Sequence, residues 1–526
     1  MVKPPHMTSL ILAAATAVAA LCSSCDKKRT LPDNPDAKFN RYTTDLQMSS
    51  ARLGYPIKFS LFLPEGYNKE SERRYPVVYL LHGLGDDHHA WNDQYLRVAS
   101  VIEAQEAAGL EPMIYVMPQA FKSYYVNRHD GTLNYMDMFV EELVPHIDRT
   151  YRTIADRDHR AAVGYSMGGF GAMILPSKHP ELFSVSVPLS MSVRTDAQYM
   201  TEPASGWDTQ WGAIFGGRGQ SGAARLTDYY KANCPFYMFN SGSVQDFAGV
   251  SYFFDCGDDE EQLLVANDDL HVMMRDLGMA HEYRVRNGAH TSDYWRSATS
   301  EVLPYIECRF KGLPYKTEET VALPDSYSAI RESRTFAGVA ADVYLPSGYA
   351  TDPSRSYSAL YFLYGGDRLP ADNAMKMLSS VQQAKPFIMI AADGTAIADF
   401  ATFAAAAEAD YRLLPGNDRR VALGFEAGGK TLYEASLAAT PPFASLFLLD
   451  GAIDETIARP NGAVFYHISL ADMGLNYRGA NALYKYCHVD GVRFEYRVYN
   501  GVASAISALV GLNAMRQAIS DRIKTN

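Results

Sequence analysis

The chain has 526 residues, 47% of them hydrophobic and 21% charged, a balance that excludes an intrinsically disordered protein and allows two or three separate cores. Its formal net charge of -12 excludes a broad nucleic-acid surface, because no excess of Lys and Arg is present to neutralise phosphates. Small-molecule and neutral polymer substrates remain open.

In chain order, the first element is a targeting segment. Lys3 supplies charge and Leu10 to Leu21 a short apolar run, too short for a comfortable membrane-spanning helix. Ser23 and Ser24 then precede Cys25, and small residues before a cysteine resemble the lipobox of bacterial lipoproteins. Cys25 is the expected lipidated residue, since cleavage before Cys22 would leave bulky Leu21 beside the cut. The alternative is an ordinary secretory signal that contains cysteines. Residues 1–25 are therefore expected to be a lipoprotein signal peptide and 26–48 a tether. The expected location is the bacterial cell envelope, periplasmic or membrane-anchored, with the lipid as the only membrane attachment. The other cysteines, Cys234, Cys256, Cys308 and Cys487, are scattered without metal-like spacing, which indicates buried thiols or at most one disulfide.

From about Ser49, short apolar runs alternate with helical stretches. Lys58 to Leu63 alternates like a strand and ends in the turn Pro64 to Tyr67, while Tyr75 to Leu81 and Pro112 to Met117 read as strands buried on both faces. Met136 to Tyr151 reads as a helix. This alternation predicts an α/β fold with a mostly parallel sheet, whose sites lie at the carboxyl ends of strands.

At one such end stands Gly164-Tyr165-Ser166-Met167-Gly168-Gly169, a nucleophile elbow. A serine hydroxyl is a weak nucleophile until a base takes its proton, so a tight strand-to-helix turn must hold it clear of the backbone. The same turn aims the Met167 amide at the place where an oxyanion would form. The partners are sought in the order serine, acid, histidine. Tyr252 to Asp255 forms a strand that runs into the acidic loop Asp258 to Glu261, and Glu282 to Arg286 forms another that ends at Asn287-Gly288-Ala289-His290. His290 is the expected base. His82, which precedes the serine, is expected to brace its loop. Asp86, Asp87, His88 and His89 are read as a polar pocket rim, because consecutive side chains diverge; no metal and no cofactor are expected.

The motifs FLPEGY, YPVVYLLHGLGDD, HIDRTYRTIADRDHRAAVGYSMGG, FFDCGDD and NGAHTSDYW together resemble the bacterial esterase-D-like family. That family includes S-formylglutathione hydrolases, tributyrin esterases, and the acetylxylan and feruloyl esterases of carbohydrate esterase family one. The resemblance covers about residues 49 to 310. It implies an α/β-hydrolase fold with Ser166 as nucleophile, His290 as base, and an oxyanion hole from the amides of Met167 and Leu84. The family's acid is an Asp shortly after the DCG-like turn; this chain departs by one residue and by acid type, so Glu260 is expected, with Asp259 or Glu261 as alternatives. Trp91, Tyr165 and Arg128, with Tyr124 and Tyr125, are candidate substrate contacts.

After about Thr320 the landmarks recur. Tyr344 to Tyr349 repeats Phe62 to Tyr67, Tyr361 to Asp367 repeats the strand and loop at His82, Arg419 to Gly429 repeats the elbow, and Glu495 to Gly501 repeats the strand before His290. Glu426 stands in place of Ser166 and Ala503 in place of His290, and the acidic loop corresponds to the region of Asp472 and Met473. The expected architecture is two tandem α/β-hydrolase-like domains: a catalytic one over 49–312 and a shortened, degenerate, non-catalytic one over 322–526 that packs on or extends the first. The expected activity is ester hydrolysis through an acyl-enzyme, on acetyl or feruloyl groups of carbohydrate. The alternatives are an acyltransferase acting on sugar hydroxyls and a non-catalytic glycan-binding lipoprotein.

Overall fold

A computed structural model describes residues 41–526 except 261, 317–319, 366–369, 503 and 526. The signal segment 1–25 with Cys25, most of the tether, Glu261, Asp367 and Ala503 therefore lie outside the described residues. The chain forms two compact units. The first runs to Phe254 and resumes over Thr291–Tyr315; the second comprises Asp255–His290 and the chain from Lys316 on.

In the first unit the strands are β1 (Tyr42–Met48), β2 (Ile57–Phe62), β3 (Val77–Leu81), β4 (Ile114–Pro118), β5 (Arg160–Tyr165) and β6 (Val185–Leu189), in the order β1-β2-β4-β3-β5-β6. β1 and β2 are antiparallel to their neighbours, and β4, β3, β5 and β6 run parallel. Every residue of β3, β4, β5 and β6 is buried, as expected for continuous apolar runs covered on both faces. β1 corrects the expected tether: residues 42–48 alternate half-buried and exposed and pair with β2, so folded structure begins before Ser49. Helices α1 (Val98–Ala107), α2 (Met167–Lys178) and α4 (Ser292–Phe310) belong to this unit. α1 and α4 share one core with the sheet, through residues such as Ile102, Tyr115, Val163 and Ile306.

β7 (Ser251–Gly257) begins in the first unit and ends in the second. The second unit then contains helix α3 (Gln262–Asp276), strand β8 (His281–Arg286) and the strands β9 (Ile330–Phe336), β10 (Val339–Leu345), β11 (Ser358–Tyr364), β12 (Phe387–Asp393), β13 (Arg420–Phe425), β14 (Ser445–Leu449), β15 (Phe465–Ala471) and β16 (Phe494–Tyr499). Their order is β8-β16-β15-β14-β13-β11-β12-β10-β9. From β16 to β12 the strands are parallel; β8, β10 and β9 join antiparallel. Helices α5 (Ala427–Ser436), α6 (Tyr477–Asp490) and α7 (Ala505–Arg522) complete it, with Leu512, Met515 and Ile519 of α7 buried against Phe362, Leu423 and Phe447.

Within this unit, polar groups fasten residues 255–290 to the second half of the chain. Arg284 donates to Asp472 Oδ2 at 2.7 Å, both side chains 2% exposed. Asn481 donates to Asp268 Oδ2 at 2.7 Å, Lys485 pairs with Asp269 at 2.6 Å, and Arg497 pairs with Asp258. Burial raises the Asp268 carboxyl to about 7. Cys234, Cys256, Cys308 and Cys487 are all buried. No helix among the described residues is long and apolar enough to cross a membrane.

The strand that leads to Ser166 starts at a buried ion pair: Arg160 donates to Asp148 Oδ2 at 2.7 Å and to the Leu182 carbonyl at 2.8 Å. Removing one partner leaves the other uncompensated, so Arg160→Met is expected to lower unfolding free energy by about 3 kcal/mol, read as a drop in the urea midpoint at unchanged m. A change under about 0.5 kcal/mol would show that the pair does not hold β5.

Candidate active site

The elbow is shaped by close backbone approach. A Cβ at Gly164 would stand 2.1 Å from the Gly168 carbonyl oxygen, and one at Gly168 would stand 2.0 Å from that of Leu81. Only glycine fits at either position, which lets α2 begin directly against the end of β3. The whole reversal then falls on Ser166, at φ 58° and ψ -118°, a left-handed conformation costly for a side-chain-bearing residue. Its amide donates to the Leu189 carbonyl at 3.0 Å, and its carbonyl accepts from Phe170 and Ser192. Ser166 is half-buried, and Met167, the first residue of α2, is fully buried.

The loop after β3 is braced as expected. His82, 1% exposed, places Nδ1 2.8 Å from the Gly83 carbonyl oxygen, and its Nε2 accepts from the Ala120 amide at 2.8 Å. Nδ1 therefore carries the proton, and burial pulls the imidazole below its usual range. Tyr125 donates to the His82 carbonyl at 3.1 Å. Leu84, the second oxyanion candidate, lies on this loop and is 38% exposed.

In the second unit the structure brings Glu260 and His290 together. His290 Nδ1 lies 2.8 Å from Glu260 Oε2, and the Glu260 side chain is wholly buried. A carboxylate only accepts, so Nδ1 carries the ring proton and Nε2 is the nitrogen with a lone pair to offer. The other Glu260 oxygen accepts from the Gly257 amide at 2.9 Å, which fixes the carboxylate from both sides. Asp259, one of the alternatives, is exposed and engages Gly288 only through its backbone amide. Glu260 is thus the acid bonded to the histidine.

Two expected substrate contacts are corrected. Trp91 is fully buried, its ring against that of Tyr165 at 5.3 Å. Tyr165, 1% exposed, stacks on Trp295 at 4.3 Å and donates its hydroxyl to Asp86 Oδ2 at 2.7 Å. Alternation along β5 sends Tyr165 into the core, and both aromatic rings serve packing. Tyr124 and Tyr125 are also buried, at φ 53° and 59°. Arg128 is half-buried and donates to Thr132 at 3.2 Å, and its Nε has no partner among the described residues. Of the expected contacts it alone reaches toward solvent.

Sequence reasoning missed Asp45. A bulge in β1 and a φ of 55° bring its carboxylate to 3.3 Å from His88 Nε2 and 3.8 Å from His89 Nε2, a trio with metal-ligand chemistry. Lys58 Nζ, at 2.8 Å from the same carboxylate, already supplies a cation there. His88 Nδ1 is buried with no partner among the described residues, whereas a ligating imidazole is normally held through its second nitrogen.

The first unit's fold and the Ser166 turn define an α/β enzyme scaffold of the hydrolase kind. Residues 50–306 match the Esterase family model, described as "Putative esterase", and form a domain of that family. Esterase Rv1288 of Mycobacterium tuberculosis is 27% identical over 261 residues, covering 46% of this chain and 54% of that protein. The Xylanibacter ruminicola protein "Endo-1,4-beta-xylanase/feruloyl esterase" is 31% identical over 131 residues, 24% of this chain and 18% of that one. Among solved structures, a ferulic acid esterase is 30% identical with a TM-score of 0.44, covering 51% of this chain and 98% of that chain. The chain spans about half the length of the Mycobacterium tuberculosis relative it matches.

A histidine held neutral when folded binds its proton less readily than in the unfolded chain, where it titrates near 6.5. Its contribution to stability is complete above about pH 6.5 and is lost as pH falls toward its folded pKa. Buried carboxylates such as Asp258, raised to about 6, act with the opposite sign, so the effect is read as a difference between variants. Between pH 6.5 and 5.5 the wild type should lose up to about 1 kcal/mol more than His82→Gln, measured by urea unfolding at both pH values. Equal slopes would mean that His82 is not held neutral.

Proposed function

We propose that this protein is an exported serine esterase that cleaves carboxylic esters through an acyl-enzyme, with acetyl or feruloyl groups on carbohydrate as the substrate class. The observation that carries the reading is the buried Glu260 carboxylate bonded to His290 Nδ1, which leaves Nε2 as a base. The strained Ser166 turn supports it, because such strain is kept where a side chain must be presented. The esterase-family domain and the feruloyl esterase relative support the substrate class.

In this mechanism His290 Nε2 takes the proton from Ser166 Oγ as the oxygen attacks the ester carbonyl. The amides of Met167 and Leu84 donate to the oxyanion, and Glu260 stabilises the imidazolium. The tetrahedral intermediate expels the alcohol, which receives the proton from His290, and leaves Ser166 acylated. Water then attacks with His290 again as base, releasing the acid and restoring the serine. Arg128 is the proposed substrate contact. Cys25 is the proposed lipid attachment, which would hold the enzyme at the cell envelope.

The reading includes the second half of the chain as a degenerate copy that has lost its chemistry. Supporting it, strain recurs at matching places: Ser166 and Glu426 at φ 58° and 45°, Ser190 and Asp450 at 47° and 44°, Gly288 and Gly501 both at 150°. Arg152 lies 3.7 Å over Tyr67 and donates to the Arg73 carbonyl, as Arg412 lies 3.8 Å over Tyr349 and donates to that of Arg355.

The test is hydrolysis of p-nitrophenyl acetate and methyl ferulate by the protein lacking residues 1–25. Ser166→Ala should lower kcat by about 10^4-fold or more and Glu260→Gln by about 10^3- to 10^4-fold. Turnover equal in wild type and Ser166→Ala would sink the reading in favour of glycan binding without turnover. Transfer of the acyl group to an added sugar in preference to water would make the enzyme an acyltransferase.

A further inference from the structure

The loops that carry Glu260 and His290 are zipped to each other along their length. The amides of Asp258 and Asp259 donate to the carbonyls of Arg286 and Gly288, both at 3.0 Å. The Gly288 amide donates back to Asp258 Oδ1 at 3.1 Å. A Cβ at Gly257 would stand 2.1 Å from the Gly288 carbonyl oxygen, so the two loops touch backbone to backbone. Asp258 is the hinge pin of this arrangement, two residues before the acid and bonded to the residue two before the base.

The second oxygen of Asp258 is held from β16. Arg497 Nη1 donates to Asp258 Oδ2, and the Tyr496 amide reaches the same oxygen at 3.3 Å. Through its other nitrogen, Arg497 donates to Asn287 Oδ1 at 3.0 Å, on the His290 loop. One guanidinium therefore clamps both loops at once. It is itself aimed by the Tyr496 carbonyl, 2.8 Å away, and by Glu495. A planar fork with several fixed donors suits this bridging, which a lysine could not reproduce.

We infer that Arg497 is a positioning residue for the Glu260–His290 pair, and that the second half of the chain serves catalysis by supplying it. This rests on the function proposed above, since it assigns Arg497 to the acid and base of that reaction. Arg497 would act only by fixing where His290 stands. A misplacement of this kind, made away from the reacting atoms, can cost about 100-fold in rate. Burial already raises the Asp258 carboxyl to about 6 while Arg497 pulls it down, so loss of Arg497 would leave a buried carboxylate without its main partner at the root of both loops.

The test compares Arg497→Met, Asn287→Ala, the pair Asp258→Asn with Arg497→Met, and Asp472→Asn, all in the protein lacking residues 1–25. With p-nitrophenyl acetate, Arg497→Met should lower kcat about 10- to 100-fold with KM changed less than about 3-fold. The double variant should regain most of that loss, because asparagine still accepts from Gly288 and needs no counter-charge. Asn287→Ala, at an exposed residue that folding tolerates, should lower kcat about 3- to 10-fold. Asp472→Asn, in the corresponding loop of the second half, should leave kcat unchanged. The far-downfield proton NMR signal of His290 Nδ1–H, assigned by its absence in His290→Ala, should broaden or vanish in Arg497→Met and return in the double variant. Unchanged kcat and an unchanged proton signal in Arg497→Met and Asn287→Ala would overturn the inference. An equal kcat loss in Asp472→Asn would overturn it too, by showing general destabilisation. If turnover proves independent of Ser166, the proposed reaction fails, and the NMR signal alone then decides whether Arg497 holds the pair.

Discussion

The first unit is organised by the absence of room between a helix and a strand. With a Cβ at Gly168 excluded by the Leu81 carbonyl 2.0 Å away, α2 starts as close to β3 as a helix can. That closeness compresses the connection from β5 into one residue and forces Ser166 into the left-handed region. Everything local follows. Tyr165, on the opposite face of β5, is driven into the core and bonds Asp86, closing the loop after β3. His82, at the head of that loop, spends both ring nitrogens on backbone groups. The hydroxyl and the two candidate oxyanion amides are thereby set by backbone geometry that side-chain motion cannot relax.

Much of this was readable in the sequence, because the signals were local. Buried strands are continuous apolar runs, so β3, β4 and β7 appeared within two residues of their true bounds, and the glycines flanking Ser166 announced the elbow. What stayed hidden was set by tertiary register. In the acidic run Asp258 to Glu261 only the family resemblance pointed to Glu260, with Asp259 and Glu261 left open, and in the structure Glu260 is distinguished because the Gly257 amide turns its carboxylate inward while Asp259 is left in solvent. Trp91 read as a candidate substrate contact, yet its place beside Tyr165 depends on how the loop after β3 folds back, and it is core. β1 escaped notice because its residues are polar and half-exposed, and its bulge at Asp45 has no compositional mark.

The ion pairs that tie 255–290 to the second half were equally invisible, since Arg497 and Asp258 are 239 residues apart. They form a reciprocal set. As Arg497 reaches Asp258, so Arg284 reaches Asp472; as the Gly288 amide donates to Asp258, so the Gly501 amide donates to Asp472 at 3.0 Å. The Tyr283 and Tyr496 amides complete the two sets at 3.4 and 3.3 Å. β8 and β16, which bear the arginines, meet at the Val498–Val285 pairing, so the charges flank the seam between them.

This reciprocity separates mechanics from chemistry. The Asp472 amide donates to Tyr499 and the Met473 amide to Gly501, as the Asp258 and Asp259 amides donate to Arg286 and Gly288, yet Met473 is 47% exposed and Ala503, not a histidine, stands two residues after Gly501. The aspartate, the glycine and the facing arginine therefore form this set without a glutamate–histidine pair beside them. Buried ion pairs rarely stabilise a fold more than well-packed apolar side chains of the same size would. What they add is geometric definition, because a carboxylate with three donors around it tolerates little displacement. In the Asp472 loop that definition fixes only the seam. In the Asp258 loop it also fixes Glu260 two residues on and His290 beyond the facing glycine, so the same device sets the distance between the Glu260 carboxylate and the His290 ring.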